Sequence, residues 1–269
     1  MKDNSTMMTE ERHEKILNYL KGKERASQQE LLDLLGTSES TLRRDLMTLE
    51  EQGLLHRIRG GVTCKKRTAV SDSRLASRRD EHQKEKQDIA MQAVRQIQDG
   101  ETIYFDAGST VEALLPMLAG KEIQAVTDSI SHAMQLMELG IPVSLTGGEL
   151  KSTTNALVGE EALEFLDKYR FSKGFFGANA ITEDGELLTP DVREAAVKKK
   201  ALDRTLDPYI LADSSKFDQT AAVRFGDLSR AVLVTEKDAQ IPEGFPGLIL
   251  RTAEETDTEE TPDETLNNR

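Results

Sequence analysis

One cysteine, Cys64, stands in 269 residues. That scarcity excludes an internal disulfide framework and a cysteine-based zinc site. The four histidines, His13, His56, His82 and His132, are scattered without ligand spacing, so no structural metal and no cofactor are expected. No apolar run approaches the ~18 residues of a membrane span, and the N-terminal stretch has no secretory apolar core. No repeat with a period of about 20–50 residues is present. Basic residues are also in short supply, 35 Lys and Arg against 48 Asp and Glu. Taken over the whole chain, that balance argues against a nucleic-acid partner. The expectation is a cytoplasmic protein without a membrane association.

The deficit of positive charge is unevenly spread. Residues 1–67 hold 13 basic and 11 acidic side chains, which leaves 22 and 37 for the rest. A slightly basic N-terminal module therefore precedes a strongly acidic remainder, and phosphate binding needs only a local basic surface. Part of the acidity is terminal: residues 252–269 carry seven acids, one Arg, and only Ala253 and Leu266 as apolar residues. Such a segment cannot bury a core and is expected to be disordered.

Within the basic module, Ser38-Glu39-Ser40-Thr41-Leu42-Arg43-Arg44-Asp45-Leu46 has the pattern of a short amphipathic helix. Leu42, Leu46 and Leu49 recur at i, i+4 and i+7 and share one stripe. Ser40, Thr41, Arg43 and Arg44 fall elsewhere, where hydroxyls reach phosphates or bases and Arg forks onto a guanine edge or a phosphate. Upstream, Ser27-Gln28-Gln29-Glu30 is a capping-box pattern opening a helix that Gly36 closes. Ser38 then caps the next helix, and Ile16, Leu17 and Leu20 mark a preceding one over residues 9–21. Two short helices joined by a glycine-containing turn read as a helix-turn-helix. Gly53 stops the second helix. Residues 54–58 and 62–64 read as strands around Arg59-Gly60-Gly61, the adjacent glycines supplying positive φ for the turn. Arg57 and Arg59 would make this hairpin a basic wing along the DNA backbone.

Residues 65–86 are rich in Arg, Lys, Ser and Asp and read as a charged, solvated connector, partly helical at most. Beyond it, strand and helix signals alternate: strands at 102–105, 123–127, 142–145, 171–176, 209–212 and 231–235, with helices between. That alternation implies a largely parallel sheet covered on both faces. Ligands in such sheets sit at the carboxyl ends of the strands. Four such ends stand out: Asp106-Ala107-Gly108-Ser109-Thr110, Thr127-Asp128-Ser129, Gly147-Gly148-Glu149, and Asp213-Ser214-Ser215-Lys216. Gly108 would let backbone N–H groups approach an anion, with Ser109 and Thr110 capping the helix behind it. Lys216 would supply a cation.

The segments 38–46, Arg59-Gly60-Gly61, Asp106–Thr110, Thr127–Ser129, Gly147-Gly148, Phe176-Gly177 and Leu211-Ala212-Asp213-Ser214-Ser215-Lys216-Phe217 together resemble the deoxyribose-operon-repressor (DeoR) family of bacterial transcriptional regulators. The resemblance covers nearly the whole chain except the acidic tail. It implies a sensor domain similar in fold to ribose-5-phosphate isomerases and coenzyme A transferases, and a phosphorylated sugar as effector. Were the ligand that sugar phosphate, Asp106, Asp128 and Glu149 would take its hydroxyls. The stretch Thr189–Lys198 resembles the lactose and fructose phosphotransferase branches, which implies tagatose 6-phosphate or fructose 1-phosphate and places Lys198 in the effector site. Two departures stand out. Leu42 and Arg59 occupy positions where many members carry Ile or Val and His, and Asp128 replaces a common Asn. An acid at 128 would disfavour a second phosphate and favour a sugar hydroxyl.

The fold class expected is α/β: a winged helix-turn-helix over 1–64, a connector over 65–86, a mostly parallel sensor domain over 87–251, and a tail over 252–269. The function expected is an operon repressor on a double-stranded DNA operator, acting as a homodimer or tetramer. The competing class is a sugar-phosphate isomerase with a fused DNA module, using Asp106, Asp128, Glu149, Asp191 or Glu194 as general base. Those isomerases share an Asp-Gly-Ala-Asp-Glu segment, whose counterpart here, Gly177-Ala178-Asn179-Ala180, has no carboxylate. A constitutive architectural DNA binder would leave the large second domain without a purpose.

Overall fold

The computed structural model describes residues 8–23, 25–52, 54–58, 60–63, 68–69, 75–239, 241, 245 and 247–252. Its first unit comprises α1 (Thr9–Gly22), β1 (Arg25–Ser27), α2 (Gln28–Leu35), α3 (Glu39–Glu51), β2 (His56–Ile58) and β3 (Gly61–Thr63). Leu42, Leu46 and Leu49 of α3 bury their stripe against Ile16, Leu20, Leu31 and Leu35. Both ends of the capping box close: the Ser27 hydroxyl accepts the Glu30 N–H at 3.1 Å, and the Glu30 carboxylate accepts the Ser27 N–H at 2.8 Å. Gly36 ends α2 in the left-handed region, and Ser38 caps α3. Gly53, Arg59 and Cys64 lie outside the described residues.

Sequence reading did not foresee β1, which pairs antiparallel with β3 to give a three-stranded sheet in the order β1-β3-β2. That pairing also corrects the role assigned to Gly61. Only Gly60 has a positive φ, at 82°. At Gly61 a Cβ would stand 2.1 Å from the Ala26 carbonyl oxygen, so glycine is required there by the close approach of β1. The Gln28 N–H also donates to the Gly60 carbonyl at 2.7 Å. Across the helices, the Arg12 guanidinium donates to both Asp45 oxygens, at 2.6 and 2.9 Å, tying α1 to α3.

The rest of the chain contains β4 (Thr68–Ala69), α4 (Leu75–Asp80), α5 (Gln83–Val94), β5 (Thr102–Phe105), α6 (Ser109–Leu114), β6 (Gln124–Thr127), α7 (Ile130–Glu138) and β7 (Val143–Leu145). Next come β8 (Glu149–Lys151), β9 (Ala156–Val158), α8 (Glu160–Asp167), β10 (Phe171–Gly177), β11 (Ala180–Ile181), β12 (Glu186–Thr189) and α9 (Val192–Asp203). The last elements are β13 (Thr205–Leu211), β14 (Gln219–Thr220), β15 (Val223–Asp227), β16 (Val232–Thr235) and β17 (Leu248–Arg251). A seven-stranded sheet runs β17-β16-β13-β10-β5-β6-β7 with every pairing parallel. Alternate residues serve opposite faces, as the strand period demands. Ile103, Phe105 and Phe175 pack with α5 and α6, while Tyr104 and Phe176 pack with α8 and α9.

The chain builds this sheet outward from β5, first through β6 and β7, then from β10 to the opposite edge. The order therefore reverses between β5 and β10, and a crevice opens beyond their carboxyl ends. A small antiparallel sheet, β11-β12-β15, and the hairpin β8-β9 flank it.

The solvated-connector reading does not hold for the described part of 65–86. β4 pairs with β14, the buried Leu75 donates its N–H to the Thr153 carbonyl at 2.9 Å, and Lys86 is buried as well. Leu75 anchors this segment to the hairpin region at Thr153, and Lys86 ties the start of α5 to the end of α4. Of the acidic tail, only Thr252 lies within the described residues.

Candidate functional sites

α3 carries most of the residues expected to read DNA. With its leucines inward, Ser40, Arg43 and Arg44 are exposed and Thr41 is half-buried. The Ser38 hydroxyl is engaged by the Thr41 N–H at 3.3 Å and the Thr41 hydroxyl at 2.9 Å, so it shapes the helix start. Ser27 is similarly occupied in its capping box. Arg57 is exposed on the wing, with its Nε 3.9 Å from Glu50. Gly60 lies at the exposed tip of the hairpin, whereas Gly61 is buried against β1. Arg43→Ala or Arg44→Ala should weaken operator binding by about 1–3 kcal/mol where the side chain forks onto a base. Loss on operator and random DNA alike marks a phosphate contact instead. Unchanged binding by the singles and the double variant would remove α3 from the interface.

The second site is a cavity of about 270 Å³ in the crevice between β5 and β10. Asp106, Gly108, Ser109, Thr110, Asp128, Lys198 and Lys216 line it, as expected from the sequence. The N-cap of α6 is Gly108, with no side-chain cap, so Ser109 and Thr110 sit in the first turn rather than capping it. Asp106 bridges the two central strands. One of its oxygens accepts the Gly177 N–H at 2.9 Å and is also paired with the Lys198 ammonium, which in turn donates to the Gly177 carbonyl at 3.2 Å.

Asp128 stands almost wholly buried beside this pair. Burial, and then the nearby Asp106 charge, push its carboxyl up to about 8. The shift favours its neutral form, which is a hydrogen-bond donor as well as an acceptor. Burial, followed by the Asp128 and Asp106 charges, raises the Tyr104 phenol too. Glu194 accepts the Thr154 hydroxyl and lies 3.3 Å from the Lys151 ammonium. Burial holds His132 down to about 4, so it is neutral.

Several expected residues fall elsewhere. Gly147 and Gly148 start the β8-β9 hairpin and do not line the cavity. Gly148 has φ of 100° and a Cβ there would stand 2.4 Å from the Val158 carbonyl oxygen, so its need is packing against β9. Glu149 follows on that hairpin, is exposed, and pairs with Arg193 at 3.0 Å. Thr127 and Ser129 are fully buried: the Thr127 hydroxyl accepts the Ser129 N–H and the Ser129 hydroxyl caps α7. Asp213 is also buried and takes the Ser215 N–H at 3.0 Å, its other oxygen 3.8 Å from Lys216.

The cavity also gains Arg78, Glu81 and Lys86 from the segment read as a connector, together with Asn179, Glu194 and Gln219. Their signal was present as charge on residues 74–86, but charge alone does not reveal that the chain folds back.

Family models match both halves of the chain: a DeoR-like helix-turn-helix domain over residues 12–68, and a DeoR C terminal sensor domain over residues 81–237. The chain belongs to the DeoR family. The HTH-type transcriptional regulator FruR of Bacillus subtilis is 36% identical over 85% of this chain and 91% of its own length. The glycerol-3-phosphate regulon repressor of Escherichia coli is 31% identical over 83% of this chain and 88% of that one. The lactose phosphotransferase system repressor of Staphylococcus aureus is also 31% identical, over 87% and 96%. Among solved structures, ribose 5 phosphate isomerase A from Neisseria gonorrhoeae aligns at 20% identity over 51% of this chain and 54% of that chain. Its TM-score of 0.38 is too low to bear on function. The DeoR sensor match begins at residue 81, within the segment that walls the cavity. The chain is thus a DeoR-type transcriptional regulator, and among its described residues no helix is long and apolar enough to cross a membrane.

Proposed function

We propose that this DeoR-family protein represses a sugar-utilisation operon and leaves its operator when a phosphorylated sugar fills the cavity between β5 and β10. The observation that carries this reading is the division of charge within the cavity. Lys198 pairs with Asp106, burial favours the neutral form of Asp128, and Lys151 lies between Asp191 and Glu194. Arg78, Lys86 and Lys216 are the further cations of the lining, against Glu81 and with Lys216 3.8 Å from Asp213. The field therefore favours one phosphate dianion, held by Ser109, Thr110 and the ammonium groups, with Asp106 and Asp128 facing the sugar hydroxyls. Tagatose 6-phosphate and fructose 1-phosphate are the leading effectors, and the likeness to the lactose phosphotransferase system repressor supports an effector of this class.

The protein acts in the cytoplasm as a homodimer or tetramer. Two reading heads would engage half-sites about 34–36 Å apart or a multiple of that spacing. No turnover is assigned. The segment Gly177-Ala178-Asn179 lines the cavity without contributing a carboxylate, and assay of ribose 5-phosphate isomerisation by the purified protein checks this.

A thermal-shift panel tests the effector. It should contain tagatose 6-phosphate, fructose 1-phosphate and glycerol 3-phosphate, each beside its unphosphorylated parent. At about a hundredfold its dissociation constant the true effector should stabilise the protein by ~2.7 kcal/mol. Equal shifts from phosphorylated and parent compounds, or no shift from any, would rule the reading out.

A further inference from the structure

We propose that Lys86 is a latch: an anion entering the cavity draws its ammonium off the backbone carbonyls of Arg78 and Glu81 and frees the C-terminal end of α4. The inference rests on the effector reading above and adds how occupancy reaches the segment that leads back to the wing.

Lys86 is 5% exposed, and its ammonium donates to the carbonyl of Arg78 and, at 2.6 Å, to that of Glu81. These are the orphan acceptors that the end of a helix leaves behind. The same side chain lines the cavity beside Arg78 and Lys216. It is thus a buried cation held by neutral dipoles, facing a space with a second ammonium nearby. Burial, and then the neighbouring Lys216 charge, hold Lys86 below the usual lysine range. A phosphate dianion attracts the ammonium as a full opposite charge, where a carbonyl offers only a dipole. It also repels the free carbonyls at a helix C-terminus, where negative charge is unfavourable. Glu81, which lines the cavity too, adds to that repulsion. The entering anion therefore attracts Lys86 and pushes against what Lys86 now holds.

Among the described residues, other contacts also hold this wall. Leu75 donates its N–H to Thr153, Arg79 forks onto Glu112 at 2.7 and 2.6 Å, and β4 pairs with β14 over two residues. Ala69 of β4 and Gln219 of β14 themselves border the cavity. Loss of the Lys86 contacts thus loosens a wall through which the chain runs back towards β3.

Hydrogen exchange on the full chain tests the latch, with fructose 1-phosphate and inorganic phosphate as probes and thermal shift as the measure of binding. On binding, amides of Leu75–Asp80 should exchange about tenfold faster, equivalent to ~1.4 kcal/mol, while β5 and β10 become slower. Stabilisation by either probe with α4 unchanged or slower overturns the latch and leaves the effector reading intact. Absence of stabilisation by any phosphorylated compound in the panel overturns the effector reading, and the latch with it. Lys86→Met gives a second measure. Its empty form should show α4 exchanging as fast as in the liganded parent, with β5 and β10 still protected as proof of folding. Protected α4 in that variant overturns the latch. Should the variant not fold, the parent measurement alone decides.

Discussion

Ser109→Glu should bind operator normally and ignore the effector. Ser109 lies in the first turn of α6 at the cavity wall, and no described residue of the DNA-reading unit lines that cavity. A glutamate there places a carboxylate in the space assigned to the phosphate, so it removes a hydroxyl donor and adds a like charge. Lys216→Ala should be milder, since it deletes one point charge of several. The measurement is paired: operator affinity with and without fructose 1-phosphate, and thermal stability with the same compound. The ~2.7 kcal/mol of stabilisation expected near a hundredfold the dissociation constant should vanish in Ser109→Glu. Operator affinity without effector should match the parent. A Ser109→Glu protein that still releases operator on effector addition would move the effector site away from β5 and β10.

Asp45→Ala should cost the DNA-reading unit about 3 kcal/mol of stability, the lower end of what breaking a buried ion pair entails. Asp45 and Arg12 have side chains 4% and 10% exposed, and the pair is bidentate. Removing the carboxylate takes the ionic partner from a guanidinium between α1 and α3, leaving contacts such as the Thr9 hydroxyl at 3.2 Å, and His13 loses its 3.3 Å contact with the same group. Against a usual total of about 5–15 kcal/mol for a domain, that loss is large. Operator binding should fall with it, because α3 is held in place by this contact and by its leucine stripe. Asp45→Asn should recover part of both. The pattern differs from that of Arg43→Ala, which should weaken binding and leave the unfolding temperature alone. Unaltered unfolding temperature in Asp45→Ala would show that the pair contributes nothing net.

Asp45 also shows what could be read in advance. The helix from Ser38 was legible because its information is local: a capping hydroxyl, a period of leucines and a glycine stop. That Asp45 faces inward follows from the same period, yet its partner lies 33 residues away and nothing local announces Arg12. The parallel sheet was legible for a similar reason, since buried strands and their intervening helices each carry their own pattern. The loops at Asp106 and Lys216 followed from the rule that parallel sheets bind at strand ends.

Glu149 followed from the same rule and went elsewhere. After β7 the chain turns into an antiparallel hairpin, and that pairing depends on β9 rather than on the glycines themselves. Strands of two or three residues, such as β1, β4 and β11, are too short for an alternation to be visible. The buried Lys86 was invisible because its partners are backbone carbonyls, which every residue possesses.

The contact at Gly61 fixes more than a turn. Because β3 lies against the backbone of Ala26, and Gln28 donates to Gly60, the hairpin is fastened to the start of α2 rather than hinged beside it. Wing and helices form one stiff piece, like the two jaws of a calliper locked at a single opening. Were such a piece to keep that opening against a duplex whose grooves do not match it, the distortion would fall on the DNA. Base steps that no side chain touches would then enter the choice of operator through their stiffness.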